Sequence, residues 1–235
     1  MRFQSERTFN WLFCRDIDTV KELSRVIQAA HLWHVRTDLV SELIALKEEG
    51  HWENSLRDTA RAASALAADA IISPDVSNWM LSKQKDMAWN SDVYDTAYVL
   101  TALADMGIHN RKGCLWLIEN YGPAWEHPGT TALMINALIK QGKLSKKDSS
   151  GFNRFINERA EWILSKRVEE GAWKNLATSN IVIQALILAG YGNKCGKALQ
   201  WLLDSMNANG SWGKGKGDIN TTALTLITLA SFEKM

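Results

Sequence analysis

A period of about forty residues constrains this chain more than any other feature. Trp11, Trp52, Trp89, Trp125, Trp173 and Trp212 are each followed by a short polar loop, a Thr or Ser, and an apolar helical run. The aligned hydroxyl residues are Thr19, Thr59, Thr96, Thr131, Ser179 and Thr222, separated by 40, 37, 35, 48 and 43 residues. The 48-residue interval holds "KLSKKDSS", which reads as a loop insertion. Five of these tryptophans have a second amphipathic segment in front of them, and in four it carries a further tryptophan, as in "LQWLLDSMNANGSW". Each unit is predicted to be helix, tight turn ending in Trp, helix. Two-helix repeats of this length stack as hairpins, because one hairpin cannot bury its own apolar face.

The two helices of a unit differ in kind. The first carries lysines and glutamates on one side and is predicted to face solvent. The second is nearly apolar all round in the last three units, "TTALMINALI", "SNIVIQALILAG" and "TTALTLITLA", and such a helix is buried on every side. An inner ring of buried helices within an outer ring of amphipathic ones satisfies both. The expectation is therefore an all-α (α/α)6 toroid forming one domain over residues 1–235, with an open solenoid as the alternative. Ala65, Ala102, Ala137 and Ala185 recur at one register of the inner helices, where a small residue lets neighbours approach; Arg25 breaks that register in the first unit.

Composition narrows the function classes. Of 235 residues, 46% are hydrophobic, enough for a sizeable core, and the formal net charge of +1 gives no whole-molecule attraction to nucleic acid. No run of about 18 apolar residues predicts a membrane span, and the charged start "MRFQSERTFNWLFCRD" does not read as a signal peptide. Three scattered cysteines, Cys14, Cys114 and Cys195, form no disulfide framework and fit a reducing compartment. A cytoplasmic location is expected.

The segment "LQWLLDSMNANGSWG" followed by "TTALTLITLA" resembles the QW repeat of squalene–hopene and oxidosqualene cyclases, although Met206 stands where that repeat has Gln. The resemblance covers nearly the whole chain as six degenerate units and extends in architecture to protein prenyltransferase β subunits. It implies an isoprenoid ligand in the central cavity. Those cyclases carry an Asp-x-Asp-Asp-Thr-Ala motif whose central Asp is the proton donor. Asp92-Val93-Tyr94-Asp95-Thr96-Ala97 matches it except at the centre, where Tyr94 replaces the acid. A phenol with an ordinary pKa of about 10 is a poor acid for protonating an alkene. The resemblance nevertheless singles out Asp92 and Asp95 as catalytic candidates, with Tyr94 as a cavity hydroxyl. The zinc-binding pattern of the prenyltransferase branch is missing.

Capping competes with catalysis for the same residues. Ser55-x-x-Asp58, Asp92-x-x-Asp95, Asn175-x-x-Thr178 and Asp218-x-x-Thr221 all place a good N-cap residue three before the next polar position. The catalytic reading rests on parallel inner helices, which gather Asp18, Asp58, Asp92, Asp95, Asp218, Glu53, Glu126 and His127 at one mouth. Clustered carboxylates raise one another's pKa, and such acids can also hold Mg²⁺ through one or two oxygens. His127 could tune an acid there or serve as a cap.

One inner-helix register reads Lys21, Arg61, Tyr98, Leu133, Ile181 and Leu224. Facing the lumen, it makes a two-sided cavity, basic and phenolic on one wall and apolar on the other, suited to an isoprenoid diphosphate or a fatty anion. Alternatively Lys21 and Arg61 snorkel to water from a more exposed first pair of helices. "GSWGKGKG" lacks the strand context and the Ser or Thr of a phosphate loop and is expected to be a plain connection. The leading function is an isoprenoid-handling protein. A non-catalytic toroid for a lipid or peptide is the second, and a carbohydrate-active (α/α)6 enzyme the third.

Overall fold

The computed structural model describes residues 3–168 and 171–234, without the side chains of 146–149. Twelve α-helices lie in the described residues: α1 (Glu6–Phe13), α2 (Val20–Leu32), α3 (Leu39–Ala45), α4 (Leu56–Ala68), α5 (Pro74–Ser82), α6 (Val93–Asp105), α7 (Arg111–Glu119), α8 (Pro128–Lys143), α9 (Lys146–Ser165), α10 (Leu176–Leu188), α11 (Gly196–Asp204) and α12 (Ile219–Glu233). The even-numbered helices pack in succession, α2 on α4, α4 on α6, and so on to α12, which packs back on α2. That last contact closes the ring, so the chain is an α/α toroid with the odd-numbered helices outside. The inner helices run parallel. First-turn residues meet first-turn residues, as in Arg57 with Asp92, and last-turn residues meet last-turn residues, as in Lys140 with Asp105.

The Trp and Thr of the repeat are two halves of one device. Trp52, Trp89, Trp173 and Trp212 are fully buried. Each indole N–H donates to a main-chain carbonyl near the end of the preceding outer helix: Leu43 at 2.7 Å, Met80 at 2.7 Å, Ile163 at 2.9 Å and Leu202 at 2.6 Å. Each tryptophan's own amide donates to the hydroxyl of Thr59, Thr96, Ser179 or Thr222, at 2.9–3.1 Å. The same hydroxyls reach back to the tryptophan carbonyls. Side chain holds outer helix; main chain holds inner helix. The turns that bring this about use left-handed residues, Glu53–Asn54 and Asn90–Ser91 among them. After Trp212 the position is Gly213, where a Cβ would lie 2.8 Å from that of Asp218.

The first and fourth units use other means, and the first corrects the sequence alignment. Trp11 lies inside α1 rather than in a turn. Thr19 is the N-cap of α2, accepting the Glu22 amide at 3.2 Å, whereas Thr59, Thr96, Thr131, Ser179 and Thr222 are each the fourth residue of their helix. The hydroxyl-led alignment is therefore four residues out in the first unit. With α2 realigned, the small-residue register reads Ala29, Ala65, Ala102, Ala137, Ala185 and Thr228, all buried, and Arg25 no longer interrupts it. In the fourth unit Trp125 is only partly buried against Trp116, ring centroids 5.3 Å apart, and Tyr121 meets Thr131 through its hydroxyl at 3.2 Å. "KLSKKDSS" is not a loop: only Leu144 and Ser145 separate α8 from the twenty-residue α9.

Helix starts follow local chemistry. Ser55, Asp92, Asn175 and Asp218 cap α4, α6, α10 and α12 by accepting the amides of Asp58, Asp95, Thr178 and Thr221. Pro74 and Pro128 stand at first helical positions, where no amide donor is missed. No described helix is long and apolar enough to cross a membrane.

Replacing Thr96 by Val removes the clasp on Trp89 and leaves a buried amide unpaired. The expected cost is about 1–3 kcal/mol in urea unfolding, with a smaller loss for Thr131→Val, whose helix is not clasped by a tryptophan.

Candidate functional site: the central cavity and its rim

Realigned, three registers of the inner helices define the lumen. Their sixth residues are Arg25, Arg61, Tyr98, Leu133, Ile181 and Leu224; their ninth are Gln28, Ser64, Thr101, Asn136, Gln184 and Ile227. All twelve line a central cavity of about 170 Å³. The thirteenth residues, Leu32, Ala68, Asp105, Lys140, Leu188 and Ser231, line a vestibule of about 330 Å³ at the C-terminal end of the ring. The two spaces share Gln28, Ser64, Lys140, Gln184, Leu188 and Ile227. Positions i, i+3 and i+7 fall on one helix face, so each inner helix offers the lumen a single stripe.

The cavity is two-sided. Arg25, Arg61 and Tyr98 form one wall; Leu133, Ile181 and Leu224 face them. Arg61 lies over the Tyr98 ring, 4.6 Å from its centroid, and bonds Asp58 at 2.7 Å. Its side chain is 16% exposed, so it does not snorkel. Lys21 is not among the lining residues; the four-residue shift gives its expected place to Arg25. Burial pushes the Arg25 guanidinium down, and the charge of Arg61 adds to this, while Tyr98 and Asp218 oppose it. Lys21 is also lowered, by burial and then by Arg25 and Arg61. Arg61 Nε and Asn136 Oδ1 are buried without a hydrogen-bond partner. The ninth-residue ring is mostly hydroxyl and amide. Gln184 in it donates to Thr228 at 2.8 Å, and below it Lys140 grips both oxygens of Asp105, at 2.7 and 2.8 Å.

The Asp92–Asp95 segment lies at the N-terminal rim, outside the cavity lining. Asp92 accepts the Asp95 amide at 2.8 Å and Arg57 Nη2 at 3.0 Å. Asp95 accepts Arg57 Nε on one oxygen and Asn90 Nδ2, at 2.8 Å, on the other. It borders an open groove shared with Arg57, Trp79, Lys83 and Lys85. Although burial opposes its charge, Arg57 is held above its ordinary range by hydrogen bonds and charge from Asp95 and Asp92. The Tyr94 hydroxyl meets Thr130 at 2.9 Å, joining α6 to α8, and its ring lies beneath Arg57. Tyr98, one turn on, is the tyrosine that reaches the cavity. His127 caps α8, its Nδ1 accepting the Gly129 amide at 3.2 Å. Burial and then the Lys174 charge push its pKa down. Among the described residues no three His, Cys, Asp or Glu side chains converge as a metal site; Asp92 and Asp218 act as caps, and Asp58 and Asp95 pair with arginines.

The residues missed by the sequence reading are Arg25 and the ninth-residue ring. The signal existed: three residues after Arg61, Tyr98, Leu133 and Ile181 the chain reads Ser64, Thr101, Asn136 and Gln184, a polar register inside otherwise apolar helices.

Compared with known proteins, the sequence matches no family profile and no curated protein. Among solved structures it is similar to ent-copalyl diphosphate synthase from Streptomyces platensis, with a TM-score of 0.70 and 17% identity over 90% of this chain. The match takes in 49% of that protein, so the chain spans about half its length. What the two share is the fold, an α/α toroid.

Asp92→Ala is expected to cost about 0.5–2 kcal/mol through loss of the cap, with Asp92→Asn close to neutral in the same unfolding assay. His127, lower in pKa when folded than its ordinary 6.5, contributes stability that is present above that value and is lost as pH falls through the folded one. The wild type should therefore lose more stability than His127→Asn, which keeps a cap, between pH 7 and pH 5.

Proposed function

We propose that this chain is an isoprenoid-handling protein that binds a short apolar chain in the central cavity. The observation that carries the reading is the wall of Leu133, Ile181 and Leu224 facing Tyr98 and the two arginines inside a closed helical ring. The terpene-cyclase likeness of the fold supports it. Size narrows the ligand. A cavity of about 150 Å³ accepts benzene, so this one accommodates a group of roughly six to eight heavy atoms, close to one five-carbon prenyl unit. Longer chains would run on into the vestibule. Burying five carbons contributes about 4 kcal/mol before the costs of association, a millimolar scale of affinity. Tight binding therefore calls for a polar head.

A binding role is favoured over cyclisation by one specific observation. Among the described residues no carboxyl group lines the cavity, while Asp92 and Asp95 are bonded to Arg57 and Tyr94 to Thr130. A catalytic role for the Asp92-Val93-Tyr94-Asp95 segment remains the second reading, supported by its likeness to the cyclase acid motif.

Native mass spectrometry with short prenyl compounds tests the first. Retention by the wild type and at least tenfold weaker retention by Ile181→Trp, which fills the apolar side, are expected; equal retention by both would sink a lumenal site. For the second reading, Tyr94→Asp restores the motif, and any cyclised product from an isoprenoid diphosphate would reinstate catalysis at the rim.

A further inference from the structure

The polar wall of the cavity holds guanidinium donors that its neighbours do not all use. Arg25 donates to the Asn220 amide oxygen at 3.2 Å and hydrogen-bonds the Tyr98 side chain, and among the described residues no carboxylate stands within ion-pair distance of it. Arg61 spends one nitrogen on Asp58 and leaves Nε buried and unpartnered. Burying a charge or a polar N–H without compensation is costly, so a wall of this kind persists where something completes it. Both guanidiniums occupy the same register on adjacent helices and face one small space.

We infer that Arg25 and Arg61 form a head-group subsite, and that the ligand is a singly charged oxyanion carrying a short apolar tail. This rests on the apolar-chain reading above and adds the head to it. The charge of the head follows from the surrounding acids. Lys21, Arg25 and Arg61 are balanced in number by Asp58, Asp218 and Glu22. Asp218 acts on Lys21 and Arg25 through space, and Glu22 reaches Arg25 through Asn220. These three carboxylates are held at the rim by the Ser55 hydroxyl, the Thr221 amide and the Thr19 hydroxyl. The guanidiniums lie deeper. One negative charge sits well against them, whereas a diphosphate brings more charge than the cluster can match and needs more room than the cavity has.

Isothermal titration of the full chain with four probes tests this: 3-methylbutanoate, its neutral counterpart 3-methylbutan-1-ol, isopentenyl diphosphate and inorganic phosphate. The carboxylate should bind about ten- to a hundredfold tighter than the alcohol, the range for a charge-assisted hydrogen bond. Arg25→Met should abolish that preference by weakening the carboxylate more than the alcohol, and Arg61→Gln should reduce it. Equal affinities of carboxylate and alcohol would overturn the head subsite and leave the apolar-chain reading standing. A diphosphate that binds tighter than the carboxylate would overturn the single charge. Inorganic phosphate matching 3-methylbutanoate would overturn the tail, and no binding by any probe would overturn both readings.

Discussion

The bond pair between a tryptophan and a hydroxyl at the fourth position of the next helix is what the rest of the structure hangs on. A buried turn has main-chain groups that water cannot reach, and each must find a partner. In four of the six units the turn amide and carbonyl find the same Thr or Ser, while the indole secures the outer helix. Valine has the shape of threonine but neither the donor nor the acceptor. This is why the hydroxyl repeats more faithfully than any apolar residue around it. Fixing that one position also fixes the rotation of the inner helix about its axis, and hence which stripe turns towards the lumen.

Once rotation is set, side-chain size decides how wide the lumen is. Alanine, or threonine in α12, occupies the tenth position of every inner helix and is buried there, which lets the ring draw tight. The result is a cavity for a few atoms rather than a broad channel. Chemistry within it then varies freely, since the sixth and ninth residues make no contribution to the clasp. Guanidinium, phenol and aliphatic side chains occupy equivalent places on successive helices. The same separation puts Asp92 and Asp95 in a different role. At the cap and third positions they answer to the helix terminus and to Arg57, whatever the resemblance of the surrounding motif.

Most of the architecture was legible in the sequence because the clasp is written in residue types that recur. Period, helix pairing, inner and outer character and the cap series all follow from it. The first unit departs for the same reason. It lacks a turn tryptophan, so nothing in the repeat distinguishes Thr19, a cap, from hydroxyls that are not caps, and the hydroxyl spacing points to Lys21 where the fold has Arg25. Leu133, Ile181 and Leu224 line the cavity in the register that the repeat gives them, because their helices keep the clasp or its substitute. The engagement of the rim acids could not be read at all. It depends on Arg57 reaching 35 and 38 residues ahead to Asp92 and Asp95, and a spacing rule within one helix carries no information about such a partner.

The unclasped first unit has a consequence for how the ring comes together. Five hairpins can settle against their sequence neighbours, but the seam between α12 and α2 is made by residues near opposite ends of the chain. Arg25 meets Asn220 and Trp33 meets the Leu226 carbonyl, and beside that seam Thr8 of α1 meets the Gly210 carbonyl in the turn ahead of α12. Contacts of such sequence separation are entropically expensive to form early, and the lumen is enclosed only when they are made. Arg25 belongs to both the seam and the cavity wall. A ligand held there would bear on ring closure as well as on its own binding, so that occupancy and the last step of assembly share one free energy.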